Sequence, residues 1–248
     1  MLSSETLIYT NFTDPRTKNR PGFVGGSGPL LMAEDTCGKK YIVKYQFPHV
    51  TANEYTASWL AQMLNVYTPK AYILTPTKER PHAVAIEFMD LRPFDKKSVP
   101  NVIDLIGQFA LNIMTCQEDI LQLNQVGDRI ISYDFGETFC ISDYEMRLLP
   151  RSVSHFLSLF QRRISLCDFN YPSLAKEFNI DPEYQKREIL NVVRRVMQIT
   201  EGDISQLETE LNTIFQPIEY SCAVKPHVRS DGNRQSGTRK PLSASLLA

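Results

Sequence analysis

Up to residue 92 the apolar residues of this chain fall in short, strand-length runs, and from Val102 onward they fall on helical faces. A chain built this way has few architectures open to it. In the first part, Leu30-Leu31-Met32 and Tyr41-Ile42-Val43-Lys44-Tyr45 flank a polar, glycine-containing turn over residues 34–40 and read as a hairpin. A helix follows over 51–66, where Tyr55, Trp59, Leu60, Met63 and Leu64 recur on one face. Strands at 71–74 and 83–89 come next, separated by a turn between Pro76 and Pro81. Strand, strand, helix, strand, strand predicts an antiparallel sheet with one helix packed on it, an α+β arrangement.

The second part opens with an amphipathic stripe, Val102, Leu105, Ile106, Phe109 and Ile113, ending near Met114. Apolar runs at 120–123 and 129–133 bracket Asn124-Gln125-Val126-Gly127-Asp128, and a five-residue connection containing Gly fits a hairpin. Helices are expected over 153–160, 182–197 and 203–215, the second started by Pro182 after Asp181. Residues 225–248 hold five basic residues against one acidic and read as a disordered tail, solvated rather than docked.

Composition removes several function classes. With 248 residues, 42% apolar, 22% charged and a net charge of −1, the chain is ordinary globular material. It is not built to coat nucleic acid or an anionic membrane. No run approaches the roughly 18–20 apolar residues that span a bilayer. No secretory signal is visible in residues 1–11, so a cytoplasmic protein is expected. The five cysteines and four histidines are scattered, without metal-site spacing or a nucleophile–base motif.

Four features remain that carry chemistry. Gly22-Phe23-Val24-Gly25-Gly26-Ser27-Gly28 precedes the first clear strand, and its glycines allow backbone N–H groups to turn inward around phosphate oxygens. It is not a P-loop, since no Gly-Lys-Ser/Thr follows. Lys44 shares a strand face with Ile42: either it is buried and needs an anionic partner, or the strand is an edge and the ammonium is in water. Glu54 either closes the helix N-terminus as the last member of a Thr51-Ala52-Asn53-Glu54 capping box, or reaches back to Lys44. Asp134, in Tyr133-Asp134-Phe135-Gly136-Glu137, ends a strand before a glycine, a position that suits a divalent cation bridging phosphates.

Their order along the chain resembles the order of parts in protein kinases. Gly25-Gly26-Ser27-Gly28-Pro29-Leu30, Tyr41-Ile42-Val43-Lys44, Ala52-Asn53-Glu54-Tyr55-Thr56-Ala57, Ala110-Leu111-Asn112 and Asp134-Phe135-Gly136 resemble the compact HipA-like kinase family over residues 20–220. The resemblance implies a two-lobed kinase-like fold: an N-lobe over residues 1–92, a mainly helical C-lobe over 93–222, and the tail over 223–248. It also implies ATP with Mg2+ and phosphoryl transfer to Ser or Thr of a protein substrate. Gly25, Gly26, Ser27, Gly28 and Lys44 would hold the phosphates, with Glu54 paired to Lys44. Glu87 and Met89 would offer backbone groups to adenine, with Phe88 between them in the core. Asp119 and Asp134 would hold the metal.

The catalytic loop departs from the family pattern of an Asp, four residues, then an Asn. In one register Asp119 and Asn124 are those residues; in the other Met114 stands in place of the Asp and Asp119 in place of the Asn. The metal-binding Asn should precede the first hairpin strand, and Asn112 falls where the family has an Asn just before its Asp, which favours the second register. A thioether accepts no hydroxyl proton, so the expected protein is a degenerate kinase that either binds nucleotide and transfers phosphate slowly or has become a nucleotide-sensing or scaffolding module. The alternatives are a dead kinase or interaction module that uses no nucleotide, and a small-molecule phosphotransferase.

Overall fold

A proline sets where the first helix begins and an asparagine where it ends, and between those two residues lies the helix against which the sheet packs. The computed structural model describes residues 1–11, 30–45, 47–95, 103–115, 123–133, 135–136, 138, 176 and 178–215. The amino-terminal elements are β1 (Ile8–Asn11), β2 (Leu30–Glu34), β3 (Lys40–Lys44), α1 (Pro48–Met63), β4 (Ala71–Ile73) and β5 (Val84–Glu87). They are followed by β6 (Arg92–Pro93), α2 (Ile103–Thr115), β7 (Leu123–Val126) and β8 (Arg129–Ser132). Two further helices, α3 (Pro182–Gln198) and α4 (Glu201–Asn212), complete the described elements.

The protein is α+β. Strands β1 to β5 form one antiparallel sheet in the order β1-β2-β3-β5-β4, and β6, β7 and β8 form a second, three-stranded one. The β2–β3 turn is closed by Asp35, whose carboxylate accepts the N–H groups of Cys37 and Lys39, while Gly38 takes a φ of 80°. Strand β1 was not expected from the sequence; it pairs with β2, and Leu2 bridges to Leu74, so the amino terminus extends the sheet. Alternation sends Tyr41 and Val43 to one face, where they pack with Leu7, Ala33 and Ala85.

Helix α1 starts three residues earlier than its apolar face suggests, because Pro48 takes the first helical position after Phe47. Thr51 is therefore inside the helix, and the capping-box alternative for Glu54 does not hold. Its end is a Schellman arrangement: Val66 N–H donates to Ala61 O at 2.8 Å and Asn65 N–H to Gln62 O at 3.0 Å, with Asn65 at φ 54°. Helix α3 holds the same end, as the Arg195 guanidinium donates to Leu64 O at 2.8 Å.

The β7–β8 hairpin is shifted from its expected position. β7 runs from Leu123 to Val126, and the loop is only Gly127-Asp128, with Gly127 at φ 61°. A glycine of positive φ at the first of two central residues is what a type II′ hairpin turn needs. Apolar content places the first strand too early, because the polar Asn124 and Gln125 are themselves buried strand residues, opposite Ile131 and Ile130. The hairpin is tied to α2 by buried polar side chains. The Gln108 amide donates to Tyr67 O and Ile130 O and accepts from the Ser132 N–H and hydroxyl. Asp104 takes two hydrogen bonds from Arg129 and one from Ile130 N–H.

One core joins α1, α2, the hairpin and α3 through Leu60, Leu64, Phe109, Ile130, Ile189 and Val193, among others. Helix α4 begins two residues before expectation, on a capping box in which Thr200 and Asp203 hold each other's backbone N–H groups. It packs on α1 and β4: Leu207, Leu211 and Phe215 meet Ala52 and Ile73. The helix expected over 153–160 and the tail over 223–248 lie outside the described residues. Among the described residues no helix is long and apolar enough to cross a membrane.

Candidate functional site

Lys44 lies at the end of β3, the central strand of the five-stranded sheet, so the edge-strand alternative does not hold. It is 8% exposed, and its ammonium donates to the Glu54 carboxylate, itself 3% exposed. A lysine and a glutamate ten residues apart meet because the strand runs directly into α1, whose inward face carries Glu54 two turns from its start. Burial of both charges is sustained by the pairing and by further hydrogen bonding. The second Glu54 oxygen accepts the Phe135 N–H at 3.1 Å, so one carboxylate ties β3 to the Asp-Phe-Gly segment after β8.

Asn53, the neighbour of Glu54, was not singled out by the sequence except as part of a motif. It is 3% exposed, and its amide donates to Gly136 O at 2.9 Å and to Thr138 O at 2.6 Å. Thr138 closes the turn by donating its N–H and hydroxyl to Phe135 O. A recess lined by Glu54, Ser58, Ala71, Ile86, Tyr133 and Phe135 opens beside the ion pair, with a volume of about 10 Å³. Among the described residues that is room for roughly one water.

The segment after β5 is arranged differently from expectation at its centre. Phe88 is 41% exposed rather than in the core, because β5 ends at Glu87 and the chain leaves the sheet there. The Glu87 and Phe88 N–H groups donate to Lys70 O and Lys40 O. Among the described residues the Met89 N–H has no such acceptor. The Glu87 side chain is held by Lys39 and by the Tyr72 hydroxyl at 2.6 Å. The bond to Glu87 raises the Lys39 ammonium above its usual range, and burial, then the same carboxylate, pushes the Tyr72 phenol well above its own.

Met114 lies in the last turn of α2, 6% exposed and packed in the main core, and Asn112 is buried on the same helix. Asn124 is inside β7, opposite Ile131 on one side and Pro93 on the other. Gly25, Gly26, Ser27, Gly28, Asp119 and Asp134 lie outside the described residues. Among the described residues no three His, Cys, Asp or Glu side chains gather into a metal-sized cluster.

No family model matches the sequence, and no curated protein matches it. The fold is similar to that of solved kinase structures. The chain is similar to the Helicobacter pylori proinflammatory kinase CtkA at 13% identity and a TM-score of 0.47, over 87% of this chain and 90% of that one. It is similar to HipA of Shewanella oneidensis MR-1, solved with HipB and operator DNA, at 10% identity and a TM-score of 0.41. That likeness covers 90% of this chain and 64% of HipA, less than two thirds of its length. The Rio2 kinase of Chaetomium thermophilum, in an ADP/Mg2+-phosphoaspartate complex, is similar at 15% identity and a TM-score of 0.35, over 77% and 68% of the two chains.

Proposed function

We propose that this protein binds Mg-ATP in the manner of a degenerate HipA-like kinase and transfers phosphate to Ser or Thr slowly. The observation that carries the reading is the buried Lys44–Glu54 pair, whose glutamate also holds the Phe135 N–H of the Asp-Phe-Gly segment. A strand lysine paired to a helix glutamate is the arrangement that places an ammonium on ATP phosphates in kinases. The Met89 N–H, without a backbone acceptor among the described residues, fits an adenine acceptor at the end of β5.

In this reading Lys44 meets the phosphates and Glu54 keeps its ammonium oriented toward them. Gly25, Gly26, Ser27 and Gly28 supply backbone N–H groups, Glu87 and Met89 flank the base, and Asp119 and Asp134 hold the metal. Magnesium, when bound, neutralises phosphate charge and orients the terminal group. The position of Asn124 inside β7 supports the register in which Met114 replaces the family's Asp and Asp119 its Asn. Met114 offers no base, and the missing proton acceptor accounts for a loss of about 10²–10⁴ in rate. Placing a carboxylate there would bury it among apolar side chains, so Met114→Asp costs stability before it restores chemistry.

The test is a thermal-shift titration of the whole chain with ATP, with and without magnesium, beside Asp134→Ala. Saturation at about 100 times the dissociation constant stabilises the fold by roughly 2.7 kcal/mol. A magnesium-dependent shift lost in the variant is expected. No shift at millimolar ATP overturns the reading and leaves a module that works through protein partners without nucleotide.

A further inference from the structure

We infer that Asn53 is a positioning residue: by clamping the turn from Phe135 to Thr138 against α1, it holds Glu54 on Lys44 and so orients the ammonium toward an anionic ligand. The inference rests on the nucleotide-binding reading and deepens it. Asn53 and Glu54 are consecutive residues of α1, and together they make three hydrogen bonds with one short stretch of chain, two donated by Asn53 and one accepted by Glu54. The Asn53 amide uses both of its hydrogens, on Gly136 O at 2.9 Å and Thr138 O at 2.6 Å. Glu54 accepts the Phe135 N–H at 3.1 Å.

The geometry makes this a coupling and not two separate contacts. The two hydrogens of a planar amide point in fixed directions, so both carbonyls must stay in place for both bonds to survive. Those carbonyls belong to a turn that is closed internally by Thr138 on Phe135 O, so the turn moves as a unit. Phe135 packs in the core with Ala57, Leu60 and Ala61 of α1, and its N–H is held by the Glu54 carboxylate, the same group that holds Lys44. If Asn53 lets go, the Phe135 N–H and the Lys44 ammonium no longer meet Glu54 in one fixed geometry. Asparagine is a poor helix former, and a buried amide is costly unless bonded, so packing alone gives no reason for it in mid-helix.

The experiment compares the full-length protein with Asn53→Leu, which keeps the size and removes the donors, and Asn53→Asp, which sets an acceptor against two carbonyls. Two readouts are used. The first is hydrogen exchange at the amides of Phe135 and Thr138 without ligand; exchange is expected to rise by about tenfold or more, the equivalent of about 1.4 kcal/mol. The second is affinity for ATP beside affinity for adenosine. ATP binding is expected to weaken about tenfold, with adenosine unchanged, because only the phosphates meet Lys44. Equal weakening of both ligands, or wild-type exchange at the turn, overturns the inference while the nucleotide reading stands. Failure of the unaltered protein to bind ATP overturns the nucleotide reading, and this inference with it. Thr138→Val, an isosteric change that opens the same turn from its other side, carries both readouts if the Asn53 variants do not fold.

Discussion

The Tyr55 hydroxyl donates to the Glu210 carboxylate, joining α1, which carries Asn53 and Glu54, to α4, 155 residues further along the chain. Around that bond Leu207, Leu211 and Phe215 cover Ala52 and Ile73, and Trp59 packs beside them. The helix that positions the candidate site is therefore held from the sheet, from α3 at its end, and from α4 along its outer side.

Removing that bond should loosen α4 without disturbing the sheet. Tyr55→Phe loses a hydrogen bond to a charged acceptor and is expected to cost about 1–2 kcal/mol, the half-buried setting keeping it toward the lower part of the usual range. Leu211→Ala, at a fully buried position of the same contact, is expected to cost about 2–5 kcal/mol. Urea denaturation of each variant checks both, and equal losses would count against a hydrogen bond of this modest strength.

The Lys44–Glu54 pair should show strong coupling. Lys44→Met removes the ammonium from a buried carboxylate and is expected to destabilise by about 3–5 kcal/mol. Glu54→Gln should cost a similar amount, and the double variant clearly less than the sum, since removing both charges leaves neither buried alone. A double-mutant cycle by denaturant unfolding measures this. Additive losses would mean that the two charges do not sense each other.

Alkaline pH should weaken the sheet through Tyr41. Burial, followed by its hydrogen bond to Asp35, pushes the Tyr41 phenol up to about 12 from its ordinary value of 10.0. A folded-state value above the unfolded one means that the protonated phenol's contribution is fully present below pH 10.0 and is lost as pH rises through about 12. Tyr41→Phe should be less stable than the native chain at neutral pH and lose less stability across that window. Unfolding midpoints at several pH values between the two limits check the slope.

A side chain at Gly127 should strain the hairpin turn modestly. A Cβ there meets nothing within 4 Å, so any cost of Gly127→Ala is conformational, from the φ of 61°. The expected loss is about 1–2 kcal/mol. Asp128→Ala, at the next position, serves as a control and should change stability by about 0.5 kcal/mol or less. Comparable losses in both would place the strain elsewhere.

Much of the fold is legible along the chain. Pro182 after Asp181 sets the start of α3, and the 3.6-residue stripe through Phe109 gives α2 nearly to the residue. Strands β2 to β5 follow from β-branched and aromatic runs between turn residues. The misses share a cause, which is that their stabilisation is not local. Strand β1 is ordered by pairing with β2, and β6 by pairing with β7. The buried Asn124 and Gln125 look like a loop until their partners across the hairpin are present. At the site, residue types and order pointed to Lys44 and Glu54, yet left a capping box as an equal use for the glutamate. Pro48 removed that option by starting the helix earlier.

By itself the sequence determined the α+β order of elements, the helix starts marked by proline and caps, and the lysine and glutamate worth watching. Those depend on interactions between residues a few positions apart, which composition and spacing record directly. Only the tertiary structure decided that Lys44 is buried on Glu54, that Asn53 clamps the turn after Phe135, and that α4 backs the helix carrying both. Each of those joins residues brought together by the packing of the sheet, the hairpin and the last helix. A buried charge or amide is stable only where that packing supplies its partner, and no local pattern specifies which partner it will be.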